Sequence, residues 1–144
     1  MSASPRDAAP ALPKPTPRGE ERLYFEAAMQ RRLVYQMCET CQSSVFYLRE
    51  VCPHCGGESL QVCDSAGFGT VYSYTVQHRA SHPYFADKTP MTLALVDLDE
   101  GFRLLANLTG VDDVVVGVPV QVAFEQVDDD LVLPHVRRRE EEPR

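Results

Sequence analysis

The second half of the chain alternates apolar and polar residues, as strands do when one face is buried. The clearest case is the run from Val118 to Phe124, where valine or phenylalanine takes every second position, and it predicts a strand over 118–127. Runs rich in β-branched, aromatic and aliphatic residues predict four more strands, at 69–78, 91–97, 102–108 and 131–136. Five short strands with no strong helical pattern after residue 35 predict a small Greek-key barrel of the OB type over 64–137, with a small β-sandwich as the alternative.

A helical pattern lies near the start. Residues 20–32 contain no Pro or Gly, begin with acids and end with arginines, which suits the helix dipole. The sequence therefore predicts a helix within 19–35. Its apolar residues cover more than one stripe, so we expect one face to pack on the chain itself and the rest to be free for a partner. Tyr24 and Phe25 are candidates for ligand or partner contact, and burial of the whole helix within the same chain is the alternative.

Both ends of the chain lack such patterns. Residues 1–18 hold five of the 11 prolines and few large apolar side chains, which predicts a disordered arm. Residues 138–144 are almost all charged and predict a solvated tail.

Two C-x-x-C pairs, Cys38/Cys41 and Cys52/Cys55, lie between the predicted helix and barrel. Pairs at this separation predict a zinc ribbon over 36–63, in which four thiolates close around one zinc ion. Four cysteines fill the tetrahedron and leave no position for water or substrate, so we expect a structural zinc. His54 lies inside the second pair and is an alternative ligand, although we expect it to be exposed on the turn.

Cys63 is the odd cysteine, because it lies outside the spacing of the two pairs. A free cysteine is usually a small buried core residue, and that is the expectation here. A nucleophilic role needs a neighbouring base, and none is close in sequence.

The composition narrows the function. The chain has 144 residues and a hydrophobic content of 44%, which suits one small soluble domain or two very small ones. Its formal net charge of −7 disfavours nucleic acid as a partner. No apolar run reaches the ~18 residues of a membrane span and no secretory signal is evident, so we expect no membrane partner and a cytoplasmic location, where thiols stay reduced.

The loop after the first barrel strand is the richest remaining constellation. His78, Arg79, His82 and Phe85 are candidates there for ligand or partner contact, and plain loop packing is the alternative. Pro83 prevents the helix that would align the two histidines on a metal. The sequence shows no phosphate-binding loop, nucleophile elbow or paired-carboxylate motif, so it contains no recognisable active site of its own.

Over 23–136 the chain resembles a family of small proteins that join an N-terminal helix and a rubredoxin-like zinc ribbon to an OB-fold and are associated with acyl-CoA thiolases. Six features carry the resemblance: Tyr24-Phe25, the two cysteine pairs, the run Gly69–Val76, the motif His78-x-x-x-His82-Pro83-x-Phe85, the strand Ala94–Gly101 and the segment Gly117-x-Pro119-Val120-x-Val122. The family often has Phe-Trp where this chain has Tyr24-Phe25, and this chain has no Trp.

The resemblance implies a non-catalytic accessory subunit with structural zinc. Its partner would be a thiolase-like enzyme, retro-aldolase or acyltransferase that acts on acyl-CoA in steroid, polyketide or other lipid metabolism. The barrel and the 78–85 loop would contact that partner or acyl-CoA itself. Two alternatives remain at this stage: a zinc-ribbon/OB module that binds single-stranded nucleic acid, and a stand-alone acyl-CoA carrier.

Overall fold

A computed structural model describes residues 9–141. One helix, α1 (Glu21–Met29), precedes all the strands. The strands are β1 (Val34–Cys38), β2 (Ser44–Val45), β3 (Leu60–Asp64), β4 (Phe68–Gln77), β5 (Met91–Leu98), β6 (Arg103–Thr109), β7 (Pro119–Asp128) and β8 (Leu131–Arg138). A short 3-10 helix, Pro83–Phe85, lies in the loop between β4 and β5.

Five strands form a closed barrel in the order β4-β5-β6-β8-β7, and β7 pairs back onto β4. All neighbours are antiparallel except β6 and β8, which run parallel. This topology confirms the OB-type prediction over the sandwich. Alternation fills the interior: along β6, Leu104, Ala106 and Leu108 are buried whereas Arg103 and Leu105 are exposed.

The three strands of the ribbon form a separate sheet in the order β2-β1-β3. Buried Gln36 on β1 fixes the segment that joins the two cysteine pairs, because its amide bonds the backbone of Arg49 in both directions. The side-chain nitrogen donates to the Arg49 carbonyl at 2.9 Å, and the Arg49 N–H donates to the side-chain oxygen at 2.8 Å. The bonds to Gln36 therefore help to hold this segment, in which only Ser44–Val45 forms a strand.

Helix α1 ends earlier than the sequence predicts. Arg31 takes a left-handed conformation with φ of 59°, and the N–H groups of Arg31 and Arg32 donate to the carbonyls of Ala28 and Ala27. This is the hydrogen-bond pattern of a Schellman motif, which usually has glycine at the left-handed position. The arginines consequently lie beyond the helix, where Arg31 donates to the Phe124 carbonyl at 3.1 Å instead of capping the last turn.

A cluster of aromatic rings joins helix, ribbon and barrel into one core. Its members, each within 6.0 Å of another by ring centroid, are Tyr24, Phe25, Tyr35, Phe46, Tyr47 and Phe102. Tyr24 comes from α1 and Phe102 immediately precedes β6, with Phe46 between them at 5.8 Å and 4.9 Å. Aromatic pairs at such distances add about 0.5–1.5 kcal/mol each beyond area burial, so the three parts stabilise one another.

Residues 1–8 of the predicted disordered arm and 142–144 of the predicted charged tail lie outside the described residues. Residues 9–18 contain no helix or strand, and the disorder of the arm stays a prediction. Lys14 forms ion pairs with Asp128 and Asp130 at 2.6 Å and 2.7 Å. The arm therefore lies against the β7–β8 turn at this point.

None of the helices in the described part of the chain has the length and apolar character needed to cross a bilayer.

Candidate metal centre and contact surfaces

Each cysteine pair is a tight turn followed by a residue with positive φ. Gln42 follows Cys41 with φ of 62°, and Gly56 follows Cys55 with φ of 77°. In both turns the N–H of that residue donates to the carbonyl of the first cysteine at 2.9 Å. The equivalent geometry aims both pairs of sulfurs at one point. Gly57 is closely packed, since a Cβ there would lie 3.1 Å from the Thr40 hydroxyl oxygen and 3.2 Å from Cys55 Sγ, and these neighbours would have to shift.

The four sulfurs have the spacing of a tetrahedral zinc site. All four Sγ atoms lie within 4.8 Å of one another. Cys38 and Cys55 are 3.6 Å apart, and Cys41 and Cys52 are 3.7 Å apart. A tetrahedron with Zn–S bonds of about 2.3 Å places its sulfurs about 3.8 Å apart, whereas a disulfide requires about 2.05 Å. The residues therefore fit zinc, and they do not fit a disulfide pairing.

The electrostatics of the cluster point to a cation as well. Hydrogen bonding by Ser43 lowers the pKa of the Cys41 thiol to about 6. The Gly57 N–H acts to lower the pKa of Cys55, but desolvation and three neighbouring sulfurs raise it to about 12. The thiols thus compete for ionisation, because each thiolate disfavours the next. A cation bound to all four stabilises every thiolate at once.

His54 is exposed, and it does not belong to the metal-binding group that the described residues form. Its backbone N–H donates to Cys52 Sγ at 3.4 Å, so the residue supports a ligand through its main chain. Four sulfurs complete the coordination of zinc and leave no open position for substrate. The centre can hold the ribbon together, and it offers no Lewis acid for chemistry.

The two helix candidates lie beside a cleft of about 240 Å³. Tyr24 is 9% exposed and Phe25 is half-buried. Burial raises the pKa of Tyr24 far above its usual range. The other lining residues are Pro15, Thr16, Pro17, Glu21, Tyr47 and Leu48. One wall of the cleft is therefore the chain's own proline arm, and the contact role of the two aromatics stays a prediction.

The loop candidates do not line that cleft, and they divide into two pairs. His78 and Arg79 are exposed. His82 and Phe85 are half-buried against each other, with ring centroids 6.5 Å apart. His82 also accepts a hydrogen bond at Nδ1 from the Tyr84 N–H at 3.1 Å, so it caps the 3-10 helix. His82 and Phe85 thus contact each other within the loop, whereas His78 and Arg79 are the exposed pair, and the contact role of all four stays a prediction.

Cys63 is half-buried and packs against the main core. Its thiol lies 3.7 Å from the Gln61 carbonyl and outside the four-sulfur group. The pairing of β1 with β3 places it opposite Tyr35. It is a packing residue at the edge of the ribbon sheet.

Sequence reasoning missed an apolar surface along one side of the barrel. Four of the eleven exposed large apolar residues of the described chain lie on the second half of β4 and on the loop that precedes β7: Tyr74, Val76, Val115 and Val116. We call these four residues the β4-edge surface. One signal was present in the sequence, since Phe68–Gln77 contains no charged residue. A strand with no charge is unusual at an exposed edge.

Two family models match the chain, and they meet at the junction of ribbon and barrel. The model described as the rubredoxin-like zinc ribbon domain of ChsH2 matches residues 25–61. The model described as the C-terminal OB-fold domain of ChsH2 matches residues 63–125. Both matches agree with the zinc ribbon and the five-stranded barrel described above.

Relatives with curated names and solved structures are similar to the chain. A probable enoyl-CoA hydratase alpha subunit of Thermomonospora curvata is 41% identical over 127 residues, which are 87% of this chain and 39% of that protein. The chain thus spans about two fifths of the length of that relative. A DUF35 domain-containing scaffold protein of Methanocaldococcus jannaschii is 30% identical, covering 68% of this chain and 71% of the relative. A solved structure described as the Ltp2-ChsH2(DUF35) aldolase is 40% identical with a TM-score of 0.79, covering 87% of this chain and 98% of that one.

Proposed function

The chain belongs to the DUF35 family, and on that premise we propose that it is a non-catalytic, zinc-binding accessory subunit of an acyl-CoA enzyme. The partner that we propose is a thiolase-like protein that forms or cleaves a carbon–carbon bond in its substrate. In this assembly the partner supplies the catalytic groups, and this chain acts as a scaffold.

The site of four cysteine sulfurs is the observation that carries the proposal. Among residues 9–141, this is the group whose side chains are close enough together to bind a metal ion, and all four of its ligands are cysteines. Such a site stabilises a fold too small to stabilise itself, and it does not activate water or a carbonyl group. A rigid helix, ribbon and barrel joined by aromatic packing suit a subunit that holds another protein in place.

The names of the relatives support the acyl-CoA part of the proposal. One is called an enoyl-CoA hydratase alpha subunit, another a scaffold protein, and a third is part of an aldolase. The words subunit and scaffold both describe a protein that works with a partner. The aldolase supports carbon–carbon bond chemistry, and the thiolase-like character of the partner is our own inference.

Contacts with the partner or with acyl-CoA are proposed at the exposed pair His78 and Arg79 and at the cleft beside Tyr24 and Phe25. Zinc bound by Cys38, Cys41, Cys52 and Cys55 would hold the ribbon so that these residues keep their positions. A site of four thiolates needs reduced cysteines, which supports a cytoplasmic location.

Co-expression tests the proposal. The probe is a recombinant thiolase-like protein from the organism that encodes this chain, and the readouts are light-scattering mass after size exclusion and turnover of an acyl-CoA substrate. We expect one stable complex and an activity that the probe alone lacks or shows only weakly. If the two proteins elute separately and activity is indifferent to this chain, the accessory role is wrong.

A further inference from the structure

Strand β4 has a free edge over half of its length. It pairs with β7 only over Phe68–Thr70, and Val71 then bonds the backbone of Gly117 and Val118. From Ser73 to Gln77 its partner within the described residues is β5 alone. Five residues of strand span about 17 Å. The barrel is therefore closed at one end of β4 and presents an open main-chain edge at the other.

The side chains along this edge are apolar and exposed. Tyr74 pairs with Ala94, which is 0% exposed, so both point to the core side of the sheet. Tyr74 is nevertheless 41% exposed and Val76 is 40% exposed, because β7 pairs only with Phe68–Thr70 and does not reach this part of β4. The row of side chains on the core-facing side of β4 thus continues past the end of the barrel core.

The loop before β7 extends this apolar surface. The Gly117 N–H donates to the Val71 carbonyl at 2.7 Å, at the point where β4 loses its second neighbour. Val115 and Val116 immediately precede Gly117 and are 63% and 61% exposed. Tyr72 also lies on β4, but the Arg103 guanidinium covers its ring at 3.5 Å from the ring centroid. The uncovered apolar residues near the free edge are therefore Tyr74 and Val76 on the strand and Val115 and Val116 on the loop.

Natural proteins usually protect such an edge with charged residues, proline or a covering loop. Phe68–Gln77 has no charged residue and no proline. We propose that the partner subunit covers the β4-edge surface by adding an extended strand to β4 beside Ser73–Gln77. This inference rests on the proposed function and names the surface through which the complex forms. Main-chain hydrogen bonds would supply affinity, and the four apolar side chains of this surface would select an apolar strand.

Charge favours a different protein over a second copy of this chain. Asp112 and Asp113 are exposed on the loop that carries Val115 and Val116. Two copies would bring together chains that each have a formal net charge of −7. A partner strand with Lys or Arg beside Asp112 and Asp113 would instead be attracted. The occupant that fits is therefore an apolar extended segment of the partner with a basic residue at one end.

Single lysines placed on the edge test the inference, because lysine blocks strand addition. Tyr74→Lys and Val76→Lys replace exposed residues, so both variants should fold, as circular dichroism and zinc content would show. Val62→Lys is the matched control, since Val62 is 41% exposed on the ribbon strand β3. With the same thiolase-like protein as probe, we expect the edge variants to raise Kd at least about tenfold and the control to leave it unchanged.

Amide hydrogen exchange gives an independent readout on the unmodified complex. Alternate N–H groups of Ser73–Gln77 already face β5. We expect the N–H groups that point to the free edge to become protected when the probe binds, with side-chain contacts alone leaving them unchanged. If the wild-type chain binds the probe but these amides stay unprotected and Val76→Lys binds as well as wild type, strand addition is wrong and the accessory role stands. If the wild-type chain does not bind the probe, the proposed function itself fails. If the isolated chain dimerises with the same amides protected, the occupant is a second copy and the inference is overturned.

Discussion

Glu100 accepts hydrogen bonds from Ser65, 35 positions earlier in the chain, with the Ser65 hydroxyl 3.0 Å from Oε2 and also in contact with Oε1. The Ala66 N–H donates to Oε1 at 2.9 Å. The Glu100 carbonyl in turn accepts a hydrogen bond from the hydroxyl of Ser44 on β2. A residue in the β5–β6 turn of the barrel therefore holds both the linker that follows β3 and the ribbon sheet.

Removing this carboxylate should loosen the junction between ribbon and barrel. Glu100→Ala leaves the Ser65 hydroxyl and the Ala66 N–H without their partner, and hydrogen bonds to a charged group contribute about 1.5–3 kcal/mol. We expect the free energy of unfolding in urea to fall by about that amount. The neighbouring exposed Asp99 provides the control, since Asp99→Ala should change stability by less than about 0.5 kcal/mol. Equal effects of both variants would refute a specific role for Glu100.

Adjacent residues on β6 should respond very differently to the same substitution. Leu104 is 1% exposed and Leu105 is 54% exposed. Leu104→Ala is expected to cost about 2–5 kcal/mol because it opens a cavity inside the barrel. Leu105→Ala should cost less than about 0.5 kcal/mol. Urea denaturation of both variants measures the difference, and similar losses would mean that the strand does not alternate as described.

Zinc content should depend on Cys38 and should not depend on Cys63. Cys38 is fully buried in the four-sulfur group, whereas Cys63 lies outside it. Elemental analysis should find about one zinc per chain in wild type and in Cys63→Ser, and a strong loss in Cys38→Ser. Hydrogen exchange over 36–63 should rise in Cys38→Ser alone, since metal binding and folding of the ribbon are coupled. Acidification should release the metal from wild type, because the ligands must be deprotonated. Zinc loss in Cys63→Ser would contradict the assignment.

The contact of Lys14 with Asp128 should be visible as a pH effect. The hydrogen bond from Lys14, followed by that from the Asp129 N–H, lowers the pKa of Asp128. A carboxyl group whose pKa is lowered in the folded state stabilises that state above its unfolded pKa of about 3.9, and the contribution is lost as pH falls through the lower folded value. Lys14→Met should therefore raise the pKa of Asp128 toward its ordinary value in an NMR titration. Lys88→Met is the control, and an unchanged Asp128 in Lys14→Met would show that the arm does not rest there.

Local patterns determined the fold and the metal ligands. The spacing of Cys38, Cys41, Cys52 and Cys55 is a property of two short turns, so the zinc site can be predicted without knowing what surrounds it. Alternation along a strand such as β6 likewise reports which face is buried. The end of α1 was predicted wrongly because Arg31 takes a conformation that sequence patterns assign to glycine.

Only the tertiary structure decided how the parts meet and what they leave open. Tyr24 belongs to the core because Phe46 and Phe102, from distant parts of the chain, pack against it. The clamp on Glu100 joins groups far apart in sequence. Tyr74 and Val76 lie in a run that the sequence predicts as a strand, and they are exposed because β7 pairs with only the first part of β4. A local pattern specifies which residues are apolar, whereas the pairing of distant strands determines whether anything covers them.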